Sequence, residues 1–280
     1  MDIALRLRAC ERRWRLEAGR RLDGGFRSEV FAAATADGGE VVVKLTVTPQ
    51  EAQAEAAALA AWEHTRAAVR LLDMDVDHSA LLLERIRPGS PLPGGDDPVA
   101  VAVAADLLPR LHQATPGPFP FRTLAEIYPQ LQEQARADVD HERRTRGEPR
   151  RGHAGLARLD AARVAAMTLC ATTARPVLLH GDFLGKNLLR TQTGYLAVDP
   201  IPRTGDPCSD VGFFAAGHPP ADTILQRAAA IAERMALDEH RARRWAVIWT
   251  VLQTCQAWRD DQQALDTAVT SDEFDRLLRQ

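Results

Sequence analysis

The segment from residue 180 to residue 199 carries the side chains best suited to chemistry. It reads H-G-D-F-L-G-K-N, followed by an apolar run, a turn and A-V-D-P. Asp182 stands five residues before Asn187, and Asp199 ends the next apolar run. Phosphoryl transfer needs a carboxylate that orients the attacking hydroxyl group and accepts its proton, together with oxygen ligands for Mg²⁺.

The order of these three residues matches the template of protein kinases, which use an Asp, an Asn five residues later and a further Asp on the metal. We therefore predict Asp182 as the catalytic base. Asn187 and Asp199 are predicted to bind Mg²⁺ through their side-chain oxygens.

Lysine is rare in this chain, which draws attention to Lys44 and Lys186. They are the only lysines among 35 basic residues, and lysine is a compact point charge whereas arginine is a wide planar fork. Lys44 ends the run V-V-V-K, just before a helical segment with Glu51 and Glu55 one turn apart. We predict that Lys44 contacts the α- and β-phosphates of ATP. Glu55, deeper in the helix, is predicted to hold it there, with Glu51 as the alternative.

Two further positions are candidates for phosphate contacts. The segment D-G-G-F-R-S-E-V, residues 23–30, links the first two predicted strands, and its glycines and Ser28 can bring backbone N–H groups to the phosphates. Lys186 directly precedes Asn187. Its ammonium group would face the transferring phosphoryl group, face the acceptor, or lie in solvent. In the second case it would repel a polycation and favour a neutral or anionic acceptor.

The elements that must position these residues form two lobes. Up to about residue 86, β-prone runs alternate with turn signals at 23–25 and 37–39, and Pro49 opens one helix. The proline- and glycine-rich stretch 87–98 marks a hinge. Helices are predicted at 98–113, 124–146, 156–173 and beyond 222, with a charged loop at 141–153 and a hairpin of strands 187–190 and 195–198.

The predicted fold is therefore α+β. A small antiparallel β-rich N-lobe with one helix, residues 1–87, would bind the nucleotide. A larger, mainly helical C-lobe, residues 88–280, would carry the catalytic loop and bind the acceptor. Such layouts place ligands in the cleft between the lobes.

Four segments of the chain are similar to a known group of enzymes. They are W-R-L-E-A-G-R-R-L-D-G-G-F-R-S-E-V-F, A-V-R-L-L-D-M-D-V-D-H-S-A-L-L-L-E-R-I-R-P-G, L-L-H-G-D-F-L-G-K-N-L-L-R and Y-L-A-V-D-P-I-P-R-T-G-D-P-C-S-D-V-G-F-F, and they cover most of residues 14–89 and 177–214. The chain resembles the aminoglycoside phosphotransferase-type small-molecule kinases, and within them the streptomycin 6-kinase and hydroxyurea phosphotransferase branch.

The resemblance implies a protein-kinase-like fold, ATP as donor, with GTP not excluded, and resistance to an antibiotic. It implies the same roles for the two aspartates and the asparagine of the catalytic segment. It also implies that Asp210, in G-D-P-C-S-D, is a structural carboxylate that supports the catalytic loop. Backbone groups of Glu84 and Ile86, after the strand L-L-L-E-R, would contact adenine.

The acceptor is expected to be a small molecule. Gly181 stands where protein kinases often carry an arginine, and the short stretch between Asp199 and Asp210 leaves little room for an activation loop or a peptide platform. Many members of the branch carry histidines after H-G-D, whereas this chain has F-L-G-K. A basic peptide antibiotic of the capreomycin or viomycin type is therefore an alternative to streptomycin.

These antibiotics are polycations, so we expect an acidic acceptor pocket that forms charge-assisted hydrogen bonds. Asp260 and Asp261 are candidates because they follow the amphipathic run W-A-V-I-W-T-V-L-Q-T-C-Q-A-W. Two other functions stay open: a housekeeping small-metabolite kinase and, from a different class, a nucleotide-binding pseudokinase. The intact set of Lys44, Asp182, Asn187 and Asp199 argues against the pseudokinase.

Composition narrows the location and the partners. The net charge of −3 gives no electrostatic reason to expect nucleic-acid binding. No apolar run is long enough for a bilayer, and charges interrupt the amino-terminal M-D-I-A-L-R-L-R-A-C-E-R-R-W, so neither a membrane anchor nor a secretory signal is expected. The cytoplasm is the expected location. The four cysteines, Cys10, Cys170, Cys208 and Cys255, form no CxxC pair and are expected to be reduced thiols.

Overall fold

The computed structural model describes residues 2–22, 28–95, 97–146, 153–255 and 262–280. It has the expected two-lobe α+β fold. The strands of the N-lobe form one five-stranded antiparallel sheet, and two helices pack on it. The elements of this lobe are α1 (Ile3–Trp14), β1 (Leu16–Leu22), β2 (Ser28–Thr35), β3 (Glu40–Thr46), α2 (Pro49–Trp62), β4 (Leu71–Asp75) and β5 (Ala80–Glu84). The strand order is β1-β2-β3-β5-β4.

Helix α1 is a second helix in the N-lobe, where the sequence predicts only α2. Asp2 caps its N-terminus by accepting a hydrogen bond from the Ala4 N–H at 3.2 Å. Its buried Cys10 packs with apolar side chains of the sheet. Arg6 donates to the backbone carbonyls of Thr46 and Ser79. These contacts seat α1 on one face of the sheet.

Strand β3 is buried on both of its faces, which explains its continuous apolar run. Val41, Val43 and Leu45 belong to the core beneath α1, whereas Val42 belongs to the core that includes α2. Successive side chains of a strand point to opposite faces. Lys44 therefore shares the face of Val42 and turns toward α2.

The C-lobe is mainly helical and contains two short strand pairs. Its elements are α3 (Asp97–His112), α4 (Leu124–Arg146), α5 (His153–Leu156), α6 (Leu159–Ala171), β6 (Val177–Leu179), β7 (Leu188–Arg190), β8 (Tyr195–Ala197), β9 (Arg203–Gly205), α7 (Pro207–Gly217), α8 (Ile224–Arg234), α9 (Glu239–Thr254), α10 (Gln262–Val269) and α11 (Asp272–Arg279). The predicted hairpin is the antiparallel pair β7–β8, and β6 pairs with β9.

Two local predictions need correction. The helix predicted at 124–146 is α4, so the loop predicted at 141–153 is wrong where the two overlap, at residues 141–146; residues 147–152 lie outside the described part of the chain. The strand expected at 187–190 begins one residue later, because Asn187 closes a 3₁₀ turn that starts at Gly185.

Within the described residues no helix is long and apolar enough to cross a bilayer, and the four cysteines are free.

The two lobes are joined at the end of α2. Trp62 is fully buried, its indole N–H donates to the Leu111 carbonyl at 3.1 Å, and its ring stacks on that of His180 with 6.0 Å between centroids. Just beyond α2, Ala197 of β8 exchanges backbone hydrogen bonds with Ala67 and Val69. The end of α2 is thus fixed to the catalytic segment. The domain boundary predicted at residues 87 and 88 falls in the linker between β5 and α3 and stays a prediction.

Candidate active site

Lys44 and Glu55 form a buried ion pair between β3 and α2. The Lys44 Nζ lies 2.5 Å from Glu55 Oε2, and both residues are at most 5% exposed. Helix α2 begins where it does because the Thr48 side chain caps it and Pro49 occupies the first turn, where a missing N–H costs nothing. This start places Glu55, rather than a residue of the solvated end, deep in the lobe. Burial raises the pKa of Glu55 to about 7, although the Lys44 ammonium opposes this effect.

Asp199 joins this pair from the C-lobe. Its Oδ1 lies 2.5 Å from Lys44 Nζ, because the backbone bonds of Ala197 bring the end of β8 under the N-lobe. Its backbone is left-handed, with φ of 58°, a conformation that aspartate tolerates better than most residues. Burial acts to raise the pKa of Asp199, but the Lys44 ammonium outweighs burial and holds that pKa below its usual value. Burial likewise acts to lower the pKa of Lys44, and the two carboxylates raise it.

Asp182 and Asn187 are held together within the predicted catalytic loop, residues 180–187. The Asn187 side-chain N–H₂ donates to Asp182 Oδ2 at 2.8 Å and to the Asp182 carbonyl at 2.9 Å. The Asn187 carbonyl in turn accepts from the Val198 N–H at 2.9 Å, one residue before Asp199. The three residues predicted from their spacing therefore meet at one end of the β7–β8 hairpin. The Asn187 side-chain oxygen is left to act as a ligand.

Lys186 lies beside the predicted base. Its Nζ is 3.6 Å from Asp182 Oδ2, and its side chain is 47% exposed. An ion pair this exposed contributes little to stability. Its position nevertheless puts a positive charge next to the carboxylate. The choice between a phosphate contact and an acceptor contact stays a prediction.

Asp210 anchors the catalytic loop from α7. It is buried, and it accepts hydrogen bonds from the backbone N–H groups of His180 at 2.9 Å and Gly181 at 3.0 Å. Its third partner is His112 Nε2 at 3.0 Å. Burial acts to raise the pKa of Asp210, but these hydrogen bonds and the nearby histidines hold it below its usual value. His112 was not among the predicted site residues, because its only signal in the sequence is a lone histidine at the end of an apolar helix.

The residues available for a metal ion fit Mg²⁺. Asn187 and Asp199 offer oxygen ligands at adjoining ends of the hairpin. Mg²⁺ is commonly held by one or two protein side chains, with phosphate and water oxygens completing its octahedron. No group of three or more His, Cys, Asp and Glu side chains that could form a fully protein-made metal site occurs in the described part of the chain.

The predicted nucleotide contacts lie at strand ends of the N-lobe and in the linker that follows β5. Glu84 ends β5, and its N–H donates to the Arg70 carbonyl at 3.1 Å, so an adenine contact at Glu84 would use its carbonyl group. Ile86 is buried in the linker that follows. Ser28 is the first residue of β2 and pairs with Thr46 of β3, whereas the glycine-containing segment 23–27 lies outside the described residues.

The predicted acidic acceptor contacts follow the long helix α9 in the chain. Asp260 and Asp261 lie in the segment 256–261, outside the described residues. Helix α9, which leads to them, ends at Thr254. The two aspartates therefore stay predictions.

Comparison with known proteins gives a consistent result. The family described as aminoglycoside/hydroxyurea antibiotic resistance kinase matches residues 13–262. A hydroxyurea phosphotransferase of Kitasatospora aureofaciens is 33% identical over 252 residues, which cover 87% of this chain and 69% of that protein. A streptomycin 6-kinase of Streptomyces griseus is 31% identical over 248 residues, covering 85% and 77% of the two chains.

The fold has solved counterparts at low sequence identity. A choline/ethanolamine kinase family protein from Mesorhizobium loti superposes with a TM-score of 0.64 at 17% identity, over 94% of this chain and 91% of that one. An identity this low shows the fold alone. The superposition agrees with the two-lobe arrangement that brings Lys44, Glu55 and Asp199 together.

Proposed function

Because the chain belongs to the aminoglycoside/hydroxyurea antibiotic resistance kinase family, we propose that it transfers the γ-phosphoryl group of ATP to a hydroxyl group of a small-molecule antibiotic and so confers resistance. The observation that carries the proposal is the position of Asp182. Asn187 holds its carboxylate at 2.8 Å, at the end of the hairpin where Asp199 meets Lys44. A base, two metal ligands and a buried cation are the parts that phosphoryl transfer requires.

In the proposed mechanism Asp182 acts on the acceptor. Its carboxylate accepts a hydrogen bond from the acceptor hydroxyl group and takes the proton as that oxygen attacks the γ-phosphorus. The bond from the γ-phosphorus to the bridging oxygen breaks, and ADP leaves with that oxygen and its electron pair. Asp182 then releases its proton to solvent.

Lys44 and Asp199 exchange partners when the nucleotide binds. We propose that the Lys44 ammonium leaves Asp199 for the α- and β-phosphates, while Glu55 keeps it in place from behind. Asp199 and the Asn187 side-chain oxygen then become available to a metal ion. Mg²⁺, when bound there, would neutralise charge on the phosphate oxygens. Ser28, the Glu84 carbonyl and Ile86 are the proposed contacts to the rest of the nucleotide, and GTP is an alternative donor.

For the acceptor we propose a streptomycin-type aminoglycoside or a basic peptide of the capreomycin or viomycin type. The support is the similarity to the Streptomyces griseus protein named streptomycin 6-kinase. Cationic acceptors of this kind would need carboxylates in the acceptor site, and Asp260 and Asp261 are the proposed ones.

One observation favours a second acceptor class, a small uncharged compound with a hydroxyl group, such as hydroxyurea. The half-exposed Lys186 ammonium lies 3.6 Å from Asp182, where the attacking hydroxyl group must approach. A positive charge at that position repels a polycation but not a neutral acceptor. The relative from Kitasatospora aureofaciens is named for hydroxyurea.

A screen of acceptor-dependent ATP consumption tests these proposals. Streptomycin, capreomycin, viomycin and hydroxyurea are each supplied with Mg·ATP, and mass spectrometry looks for the phosphorylated product. Asp182→Ala is the negative control. The same antibiotics are then tested for protection of a sensitive host that expresses the chain, which separates a resistance enzyme from a metabolite kinase. No acceptor-dependent consumption with any of the four would refute the proposed acceptors.

A further inference from the structure

Gly181 has no room for a side chain, because the backbone of Ile201 and the side chain of Arg203 lie directly beside its Cα. Its φ is +77°, in the left-handed region that glycine readily adopts. A methyl group on its Cα would lie 2.0 Å from the Ile201 carbonyl oxygen and 2.7 Å from Nε of Arg203. The guanidinium group of Arg203, the first residue of β9, therefore occupies the space beside the catalytic loop.

Arg203 ties the catalytic loop to the segment that follows the metal-binding aspartate. It is 4% exposed, its Nη2 donates to the Gly181 carbonyl at 2.9 Å, and its Nε donates to the Ile201 carbonyl at 3.3 Å. The Gly181 carbonyl belongs to the peptide bond that leads directly to Asp182. Arg203 therefore holds the carbonyl side of this peptide, while the Asp182 N–H on its other side donates to His180 Nδ1 at 3.4 Å.

Hydrogen bonding alone does not account for an arginine at this position. Its third nitrogen, Nη1, is buried and has no acceptor within the described part of the chain, and a buried donor without a partner destabilises the fold. The charge of the group supplies a reason. Burial lowers the pKa of Arg203, and the carboxylates of Asp210 and Asp182 oppose that effect. The positive charge of the guanidinium thus lies near enough to both carboxylates to be stabilised by them, while its direct hydrogen bonds go to the Gly181 and Ile201 carbonyls.

We propose that Arg203 is a positioning residue for phosphoryl transfer. Its guanidinium fixes the Gly181–Asp182 peptide and offsets the negative charge of the nearby Asp210 and Asp182 carboxylates. The Asp182 carboxylate is thereby held toward the acceptor hydroxyl group. The inference rests on the proposed phosphoryl transfer at this site. Arg203 acts through Gly181 rather than by contact with a substrate.

The test compares Arg203→Met, which keeps length but removes charge, with Arg203→Lys, which keeps charge but loses the fork. Arg163→Met, at an exposed position of α6, controls for the loss of one positive charge. We expect Arg203→Met to lower kcat by about 100-fold, the effect of a small misplacement of a catalytic group. Mg·ATP affinity should stay near wild type, and the variant should remain folded under assay conditions even though the Gly181 and Ile201 carbonyls lose a donor. The kcat of Arg203→Lys should lie between those of Arg203→Met and wild type.

Chemical rescue adds a readout that a purely structural role would not move. Guanidinium chloride at low millimolar concentration should restore part of the kcat of Arg203→Ala, and urea, of similar shape but uncharged, should not. A kcat of Arg203→Met within threefold of wild type, or a fall in kcat matched by equal losses of nucleotide affinity and folding, would overturn the proposal.

Hydrogen exchange keeps the outcome separate from that of the proposed function. If the wild-type chain phosphorylates no acceptor, the proposed function fails, but the exchange rates still test Arg203. In Arg203→Met the amides of residues 180–184 should exchange faster, while those of α7 and α9 stay protected. Unchanged exchange in residues 180–184 would overturn the role of Arg203 even in an active enzyme.

Discussion

The ion pair between Lys44 and Glu55 gives the sharpest test of the cleft, because the same helix supplies a matched control. Glu55→Gln preserves the shape of the side chain and replaces its charge by a neutral amide. Glu51→Gln makes the same change one turn earlier on the same face of α2. The Lys44 ammonium is shared between Glu55 and Asp199, each at 2.5 Å.

The expected effect follows from this sharing. Hydrogen bonds to charged groups contribute about 1.5–3 kcal/mol and neutral ones about 0.5–1.5 kcal/mol. The loss of the Glu55 charge should therefore weaken the interaction of this side chain with Lys44 by about 1–2 kcal/mol. Lys44 then stays with Asp199, in competition with both the phosphates and the metal ion. Glu55→Gln should therefore weaken Mg·ATP binding by about 5–30-fold. Glu51→Gln should stay within about twofold, as expected for a change outside the ion pair.

Isothermal titration calorimetry with Mg·ATP measures both variants without knowledge of the acceptor. The titration belongs at pH 8, because burial raises the pKa of Glu55 to about 7 and the carboxylate must be ionised in wild type. Urea unfolding confirms that each variant is folded. A Glu55→Gln affinity for Mg·ATP within about twofold of wild type, or an equal loss of affinity in Glu51→Gln, would show that the Glu55 carboxylate does not position Lys44.

Four further predictions concern single groups. Asp182→Ala should lower kcat by about 10²–10⁴ with ADP binding retained; a residual rate above about a tenth would contradict its role as base. Asp199→Asn and Asn187→Ala should each weaken Mg²⁺-dependent nucleotide binding, and unchanged calorimetric affinity in both would exclude them as ligands. Lys186→Arg and Lys186→Ala should both lower kcat at saturating ATP if the Lys186 ammonium contacts the phosphoryl group. Rates within about twofold of wild type for both variants would show that Lys186 lies in solvent without such a contact. Tighter binding of cationic acceptors in Lys186→Ala would instead support the acceptor-facing orientation. Burial lowers the pKa of His218, at the end of α7, to about 4. As the pH falls below about 6.5, His218 is therefore protonated in the unfolded chain but stays neutral in the native state, which favours unfolding. The free energy of unfolding should fall by about 2 kcal/mol between pH 7 and pH 5 because of this residue; equal pH slopes of the unfolding free energy in wild type and His218→Phe, measured with urea, would contradict the prediction.

Several features of the site were predictable because they are local in the chain. Asp182, Asn187 and Asp199 are separated by one turn and one hairpin, and the bond from the Val198 N–H to the Asn187 carbonyl closes that unit. A β-hairpin brings its ends together by its own geometry. Spacing and residue type were therefore enough to predict which side chains meet there. The position of Lys44 in a buried strand was equally visible, although β3 does not end at Lys44 but continues through Thr46.

Other features were not predictable, because packing between distant segments decides them. Glu55 was the predicted partner of Lys44, but Glu51 shares its helix face and stayed an alternative, and only the seating of α2 on β3 decides in favour of Glu55. The contact of Lys44 with Asp199 spans 155 positions, and that of His112 with Asp210 spans 98. Helix α1 was missed because arginines interrupt its apolar pattern, although one of them, Arg6, binds backbone carbonyls of the sheet.

The sequence by itself determined which chemistry to expect: a predicted base, two predicted metal ligands and a rare lysine, in an order typical of phosphoryl transfer. The tertiary structure alone decided what holds them. Arg203 shows the difference, because its nearest partner is the carbonyl of Gly181, a residue 22 positions away. A backbone carbonyl has the same chemistry at every residue, so no pattern of side chains could have identified that contact before the chain was folded.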